Sequence, residues 1–427
     1  MQSFLRNSTR RGRRGAAIAA ASAGVILLAS CASGGGTPAQ TDGGSTTGPD
    51  SAPSGDTLTI GTILPQTGNL AFLGPPEFAG VDLAAADLEA ADYPFEIEVI
   101  HRDSGDTTTD IATQSAGELI NSGASVIIGA ASSGVSFTFI DQLIDSQVVQ
   151  ISPANTSPDF SDYEDDGFYW RTAPSDVLQG RVLGNLMVSD GATNVGFITI
   201  NDPYGTGLQQ NAAMAIEAAG GSVAGNELYN PGETNFQTQV RNLQQAGADA
   251  IGIIAFAETA QIVPELVTQG FTAPQMYFVD GNLSNDYNFP EGTLEGAKGT
   301  LPGNPADDTF RDRLLEQDDS LTDFSYGPES YDAVILAALA AAQGEGTDAT
   351  TIRDNMQSVS EGGEKCTEVA ECLQMIADGT DIDYDGPSGP ITFDENGDPT
   401  EAYIGIYQYG ADNKYTFVNS EFGSLNE

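Results

Sequence analysis

From Thr57 to Val279 the chain repeats one pattern: a short apolar run, then a span whose apolar residues fall three and four apart. The runs are too short for buried helices and read as strands; the spans between them read as single amphipathic helices. Strands separated by single helices form parallel sheets covered on both faces. The strands fall at 57–64, 95–101, 126–129, 148–151 and 169–172, then at 195–200, 223–229, 250–255 and 275–279. Helices are expected at 78–88, 111–120, 137–144, 177–187, 208–219, 236–243 and 262–267, two of them opened by capping-box spacings at Asp176/Gln179 and Thr234/Gln237. After Leu301 come two helical stretches, the second, Tyr331 to Ala342, almost wholly apolar. Ile391-Thr392-Phe393 and Tyr403 to Tyr409 then return to strands. The expected class is α/β, with two doubly wound parallel-sheet lobes joined by a multi-crossover hinge. The first lobe comprises 56–173 and 301–388, the second 174–300 and 389–427.

The first thirty residues stand apart. Arg6, Arg10, Arg11, Arg13 and Arg14 head a small apolar stretch, Ala16 to Ala29, that ends in Leu28-Ala29-Ser30-Cys31. This has the layout of an export leader, 1–30, followed by a lipid-acceptor cysteine. Residues 31–55 are Ser, Gly, Thr, Pro, Ala and Asp with almost nothing apolar, and read as a disordered tether. Removing the leader leaves ten basic residues against 61 acidic, a net charge of −51. Such a surface repels nucleic acid and gains nothing from anionic headgroups, so a lipid on Cys31 would be what holds the chain at the outer face of the membrane. Cys366 and Cys372, an isolated pair in an exported chain, are expected to form a local disulfide. No metal site is expected: the one histidine, His101, lies far from both cysteines, and Pro399 breaks the calcium-loop spacing of Asp394 to Asp398, which reads as a turn.

The run Ser125 to Gly129 leads through Ala130-Ala131-Ser132-Ser133-Gly134 toward a helix, with Ser132 or Ser133 at the N-cap. Gly129-x4-Gly134 has the glycine spacing of a phosphate loop but lacks the lysine. It is either an ordinary turn or a site for a small anion such as a carboxylate. Ligands in open α/β sheets sit at the carboxyl ends of strands. The first lobe offers there the 68–74 loop, Ala131-Ser132-Ser133 and Ala154-Asn155-Thr156. The second offers Asn201 to Gly205, Phe256-Ala257-Glu258 and Asp280-Gly281-Asn282. Hydroxyls on one side, with a carboxylate and aromatics on the other, suit a small zwitterion. Its carboxylate would meet Ser133 and Thr156, its ammonium Asp280, and its side chain Leu73, Tyr204 and Phe256. Each of these has a plain alternative: Asp280 capping its turn, Tyr204 packing at the rim, Phe256 and Tyr326 filling the hinge side.

Over about residues 57–418 the chain resembles the leucine/isoleucine/valine-binding family, the extracytoplasmic receptors of branched-chain amino-acid ABC importers. The resemblance rests on Gly61 to Gly68 with Gly74, Asp103, Ile128 to Ser133, Ser152-Pro153-Ala154-Asn155-Thr156, Asp202-Pro203-Tyr204-Gly205, Tyr331-Asp332-Ala333 and Tyr384 to Gly389. It implies the type I periplasmic-binding-protein fold, no catalysis and no cofactor, and a monomer that closes on its ligand and docks on a permease. It also implies that Ser133 and Thr156, with the backbone at Ala131 and Ala154, hold the amino acid's polar end, that Asp280 faces the ammonium, and that Tyr326 joins Leu73, Tyr204 and Phe256 around the side chain. Ser132 stands where the best-known member has a half-cystine, so the resemblance makes Cys366–Cys372 the replacement disulfide. Leu73 replaces a frequent tyrosine, which leaves an amide, urea or aromatic acid as alternative ligands. A sensor subunit is a further alternative. A secreted hydrolase is a remote alternative: it would need His101, which is mid-strand, and no Gly-x-Ser-x-Gly elbow accompanies it.

Overall fold

The computed structural model describes residues 57–425; the leader, Cys31 and the tether lie outside the described residues. β1 (Thr57–Leu64), β2 (Glu96–Asp103), β3 (Val126–Gly129), β4 (Val149–Ser152) and β5 (Tyr169–Arg171) form a parallel sheet in the order β2-β1-β3-β4-β5. Successive side chains of a strand point to opposite faces, and the sequence uses both. Leu58, Ile60, Leu64, Val126 and Ile128 face a core shared with α1 (Gly74–Ala90) and α10 (Gly327–Gln343). Ile63 and Ile127 face α2 (Ile111–Asn121) and Leu143 of α4 (Ile140–Asp145).

The second sheet has seven strands in the order β14-β13-β10-β9-β8-β6-β7. β6 (Asn194–Ile200), β7 (Ser222–Tyr229), β8 (Ala250–Ile254), β9 (Met276–Phe278) and β10 (Lys298–Pro302) run parallel; β13 (Glu401–Tyr409) and β14 (Tyr415–Ser424) add an antiparallel margin. α5 (Asp176–Ser189), α6 (Pro203–Ala218), α7 (Gln237–Gln245) and α8 (Thr259–Thr268) supply the second lobe's helices. After β10 the chain returns to the first core through α9 (Asp308–Gln317), α10, α11 (Ala349–Asn355), β11 (Glu364–Cys366), α12 (Val369–Ala377) and β12 (Ile382–Tyr384). Cys366 and Cys372 form a disulfide there. The chain thus crosses between lobes three times.

The third crossover is locked by charge. Arg171 at the end of β5 is fully buried, and its guanidinium meets the carboxylate of Asp398 at two points, Nε to Oδ1 at 2.6 Å and Nη2 to Oδ2 at 2.8 Å. The 394–398 segment is therefore a turn, as the sequence suggests, but one that delivers a buried partner to the first lobe.

Several local expectations are corrected. The helix expected over 137–144 is confined to α4, and a separate short piece, α3 (Ser133–Ser136), precedes it. Thr138 donates its hydroxyl to the Val135 carbonyl and Phe137 stacks on Phe160 at 4.1 Å, so the chain turns out of the helix between them. α6 begins at Pro203, not Leu208, because proline suits a first turn and Asp202 caps it through Gly205 N (2.7 Å). α5 is capped by Ser175, not Asp176, and α7 begins at Gln237 without a Thr234 cap. Ile391 to Phe393 pack into the first core instead of joining a sheet, with one isolated bridge from Phe393 to Pro399. β14 lies beyond the last strand read from the sequence; its exposed Phe417, Val418 and Phe422 break the alternation that marks a strand.

Removing one partner of a buried pair leaves an uncompensated charge, at a cost of about 3–5 kcal/mol. Asp398→Ala should lower the unfolding free energy by that amount in urea titration. A loss below about 1 kcal/mol, the scale of an exposed pair, would show that the clamp is not needed.

Candidate functional site

Both sheets bring the carboxyl ends of their strands to one cleft. The strand order reverses between β1 and β3 in the first sheet and between β6 and β8 in the second, the positions where open sheets leave room for a ligand. The loops after β1, β3 and β4 meet those after β6, β8 and β9 around a narrow cavity of about 10 Å³, room for about one water. That is below the roughly 300–1,000 Å³ of sites for drug-sized ligands. Lobe contact continues at its rim, where Ala257 N donates to Asn69 O at 3.2 Å and Ser157 Oγ to Pro203 O at 3.1 Å. The cleft is closed in this structure.

The first-lobe wall is a lattice of small residues. Gly129 ends β3 with φ +126, and a Cβ there would lie 2.1 Å from the Ile63 carbonyl, so only glycine lets β3 pass β1 into the loop. Ser132 caps α3 through Val135 N, and Ser133 Oγ accepts from Ser157 N at 3.3 Å; both line the cavity with Ala131 and Ala154. Asn155 has another role. Its amide donates to the Ala130 and Ala131 carbonyls at 2.9 and 3.0 Å and accepts from the Tyr169 hydroxyl, so it braces the two loops and faces away from the cavity. Thr156 is also set behind the lining, fully buried, with no hydrogen-bond partner on its hydroxyl. The residues on either side of it are held by Arg171, which donates to the Asn155 carbonyl at 3.3 Å and the Ser157 carbonyl at 2.7 Å.

The second-lobe wall centres on Asp280, in the turn after β9. Its Oδ1 accepts from the Tyr204 hydroxyl at 2.7 Å and Gln179 Nε2 at 3.0 Å, and its Oδ2 from the Tyr326 hydroxyl at 2.8 Å. Tyr204 rides on the first turn of α6 and stacks on Phe256 at 5.4 Å. Tyr326 enters α10 with φ +61, a left-handed conformation a non-glycine residue rarely adopts. Leu73, at the start of α1, closes the apolar side. Asp280, Tyr204, Phe256, Tyr326, Leu73, Ala131, Ser132, Ser133 and Ala154 therefore converge on one space; Asn155 and Thr156 stand behind it. His101 is elsewhere, bridging Thr62 and Asp82 at 3.0 Å each, and Thr62 is fully buried where no substrate reaches.

The sequence reading missed two residues. Gln179 orients Asp280 while also donating to Thr300. Asp176, read as a cap, is fully buried at the first position of α5; neither carboxylate oxygen meets a partner at full hydrogen-bond geometry, the Thr156 hydroxyl being the neighbour that draws its carboxyl down. Ser175 was the available signal: with the cap already filled, a second acid was surplus to the helix. Burial, then the nearby charge of Asp280, pushes the Asp176 carboxyl well up; burial raises Asp280 as well, against the pull of its three side-chain donors. Neither forms an ion pair among the described residues. Asp280 lines the cavity; Asp176 stands behind the lining, and the cation whose charge reaches it is Arg171, itself paired with Asp398.

The family model for periplasmic binding proteins matches residues 57–414. The Leu/Ile/Val-binding protein homolog 1 of Brucella abortus (strain 2308) is 26% identical over 371 residues, covering 84% of this chain and 92% of that protein. The leucine binding protein LivK from Thermotoga maritima superposes with a TM-score of 0.70 at 21% identity, covering 85% of this chain and 98% of that one. The branched-chain amino acid transporter substrate binding protein LivJ from Streptococcus pneumoniae, in complex with isoleucine, superposes with a TM-score of 0.66 at 19% identity, covering 86% and 99%.

Buried acids also set the pH dependence of the fold. A carboxyl that titrates higher when folded binds more protons in the folded state, so stability falls as pH rises through that interval. Burial pushes Asp202 and Asp332 up to about 7 and Asp165 up to about 6. Asp103 and Asp249 have the opposite sign: burial opposes, but hydrogen bonds from Thr67 and Thr193 hold them low, so they lose their contribution only in stronger acid. The unliganded protein should therefore melt higher at about pH 5.5 than at about pH 7.5. The reverse order in calorimetry would contradict this charge distribution.

Proposed function

This chain belongs to the periplasmic binding protein family, solute-binding proteins and not enzymes, and from that premise we propose that it binds a branched-chain or other apolar amino acid between its lobes and delivers it to an ABC permease. The observation that carries the reading is Asp280, a buried acid on the cavity wall that forms no ion pair among the described residues, with a second buried acid, Asp176, near enough to feel its charge. An α-ammonium is the charge Asp280 lacks, and charge buried in a low-dielectric site is tolerated only when paired. The hydroxyl of Ser133, with the backbone at Ala131 and Ala154, takes the carboxylate, and Thr156 backs that wall from behind. Leu73, Tyr204, Phe256 and Tyr326 enclose an aliphatic side chain. Each charge-assisted hydrogen bond contributes about 1.5–3 kcal/mol, and burial of the side chain roughly 1.5–3 kcal/mol more. After ordering costs this gives a Kd of about micromolar or tighter. Ligand contacts from both lobes favour the closed form, which is the form a permease would recognise. A lipid on Cys31 would keep the receptor at the outer face of the cytoplasmic membrane, within reach of that permease.

Calorimetric titration with leucine, isoleucine, valine, urea, acetamide and benzoate tests the ligand class. Heat with at least one of the three amino acids, and none with urea or acetamide, is expected. Silence with all three and with every other amino acid would end this reading. Asp280→Ala should weaken binding at least about hundredfold, and Asp176→Asn about tenfold, with circular dichroism unchanged. Full affinity in Asp280→Ala would remove that residue from the site.

A further inference from the structure

A second space lies on the hinge side of the same wall. It is a cleft of about 310 Å³, open to solvent on one side, between α9 and the entry to α10 on one lobe and β10, β13 and β14 on the other. Arg311 of α9 lines it. Its Nε is buried without a partner, and its guanidinium lies over the Phe324 ring at 5.4 Å. Among the described residues it makes no ion pair, although Arg171, Arg313 and Lys365 in this very acidic chain each have one. Stacking holds a guanidinium flat and leaves its donor edge free.

The acids beside it do not occupy that edge. Asp323 accepts from Ser325 N at 2.9 Å, Ser325 Oγ at 2.6 Å and the Tyr415 hydroxyl at 2.9 Å. Glu329, also on the wall, is buried, and that burial holds its carboxyl well up. The unspent hydrogen-bonding capacity of the cleft is thus a planar cationic fork, which fits an oxyanion at two points. Nearby acids penalise a dianion more than a monoanion. Tyr326 belongs to both spaces: it lines the cleft, while its hydroxyl bonds Asp280 in the ligand site.

We infer that the hinge cleft is a second binding site, for a small carboxylate held by Arg311, and that its occupancy is felt at the amino-acid site through Tyr326. A carboxylate there would touch both lobes and so bias their closure.

The test uses the full chain without amino acid, titrated with sodium acetate, propionate and benzoate at constant ionic strength set by sodium chloride, with sodium sulfate as the dianion. Saturable binding is expected for at least one carboxylate, by calorimetry and by a rise in melting temperature. It should weaken at least about tenfold in Arg311→Gln, weaken less in Arg311→Lys, and persist in the Ser133→Ala/Thr156→Ala double variant, which keeps the hinge cleft and cripples the primary site. The saturating carboxylate should also shift leucine affinity by about fivefold or more. No saturable binding, binding unchanged in Arg311→Gln, or binding lost in the double variant would overturn the site. Carboxylate binding with an unmoved leucine constant would overturn the coupling.

Discussion

Asp176 and Asp280 are buried within range of each other's charge, and no cation pairs with either among the described residues. In a low-dielectric interior two such groups resist ionising together. One is restrained by three donors, Tyr204, Tyr326 and Gln179; the other has the Thr156 hydroxyl and the charge of Arg171 near it, and neither bonds it at full geometry. An isolated protein gains nothing from this arrangement, which lowers its stability as the acids ionise. Under the proposed function it becomes favourable once the ligand's ammonium enters.

The fold divides labour between its lobes. One sheet ends in glycine, alanine and serine loops that come close to a solute and present hydroxyls; the other ends in aromatics and an acid. Asp176 sits where the chain first crosses between lobes and Tyr326 begins a helix reached after the second crossing, so both come from hinge-proximal elements. Asp398, on the third crossing, grips Arg171, and Arg171 in turn holds the carbonyls on either side of Thr156. The loop behind the site and the lobe connection therefore rest on shared side chains.

Much of this was legible in the chain. The strand and helix alternation determines both sheets, because apolar runs at that spacing have few other ways to be buried. Leu73, Ser133, Tyr204, Phe256 and Asp280 were legible because each follows a strand at its carboxyl end. Asn155 misled: it belongs to the same loop, but an amide can satisfy backbone carbonyls as readily as a ligand, and here it does. Asp176 was hidden because an acid at a helix start has a sufficient local explanation, and only tertiary structure shows that Ser175 had already met that need. Arg171–Asp398 was hidden for a different cause: a pair 227 residues apart leaves no periodic trace.

The most direct measurement is the number of protons exchanged when amino acid binds, obtained by calorimetry of leucine binding below neutral pH in buffers of different ionisation enthalpy. If the ammonium enters between two acids held partly protonated by burial and by one another, binding must release protons, and affinity must rise with pH over the same range. Binding with no proton release and with affinity independent of pH would mean that the acids do not receive the ligand's charge.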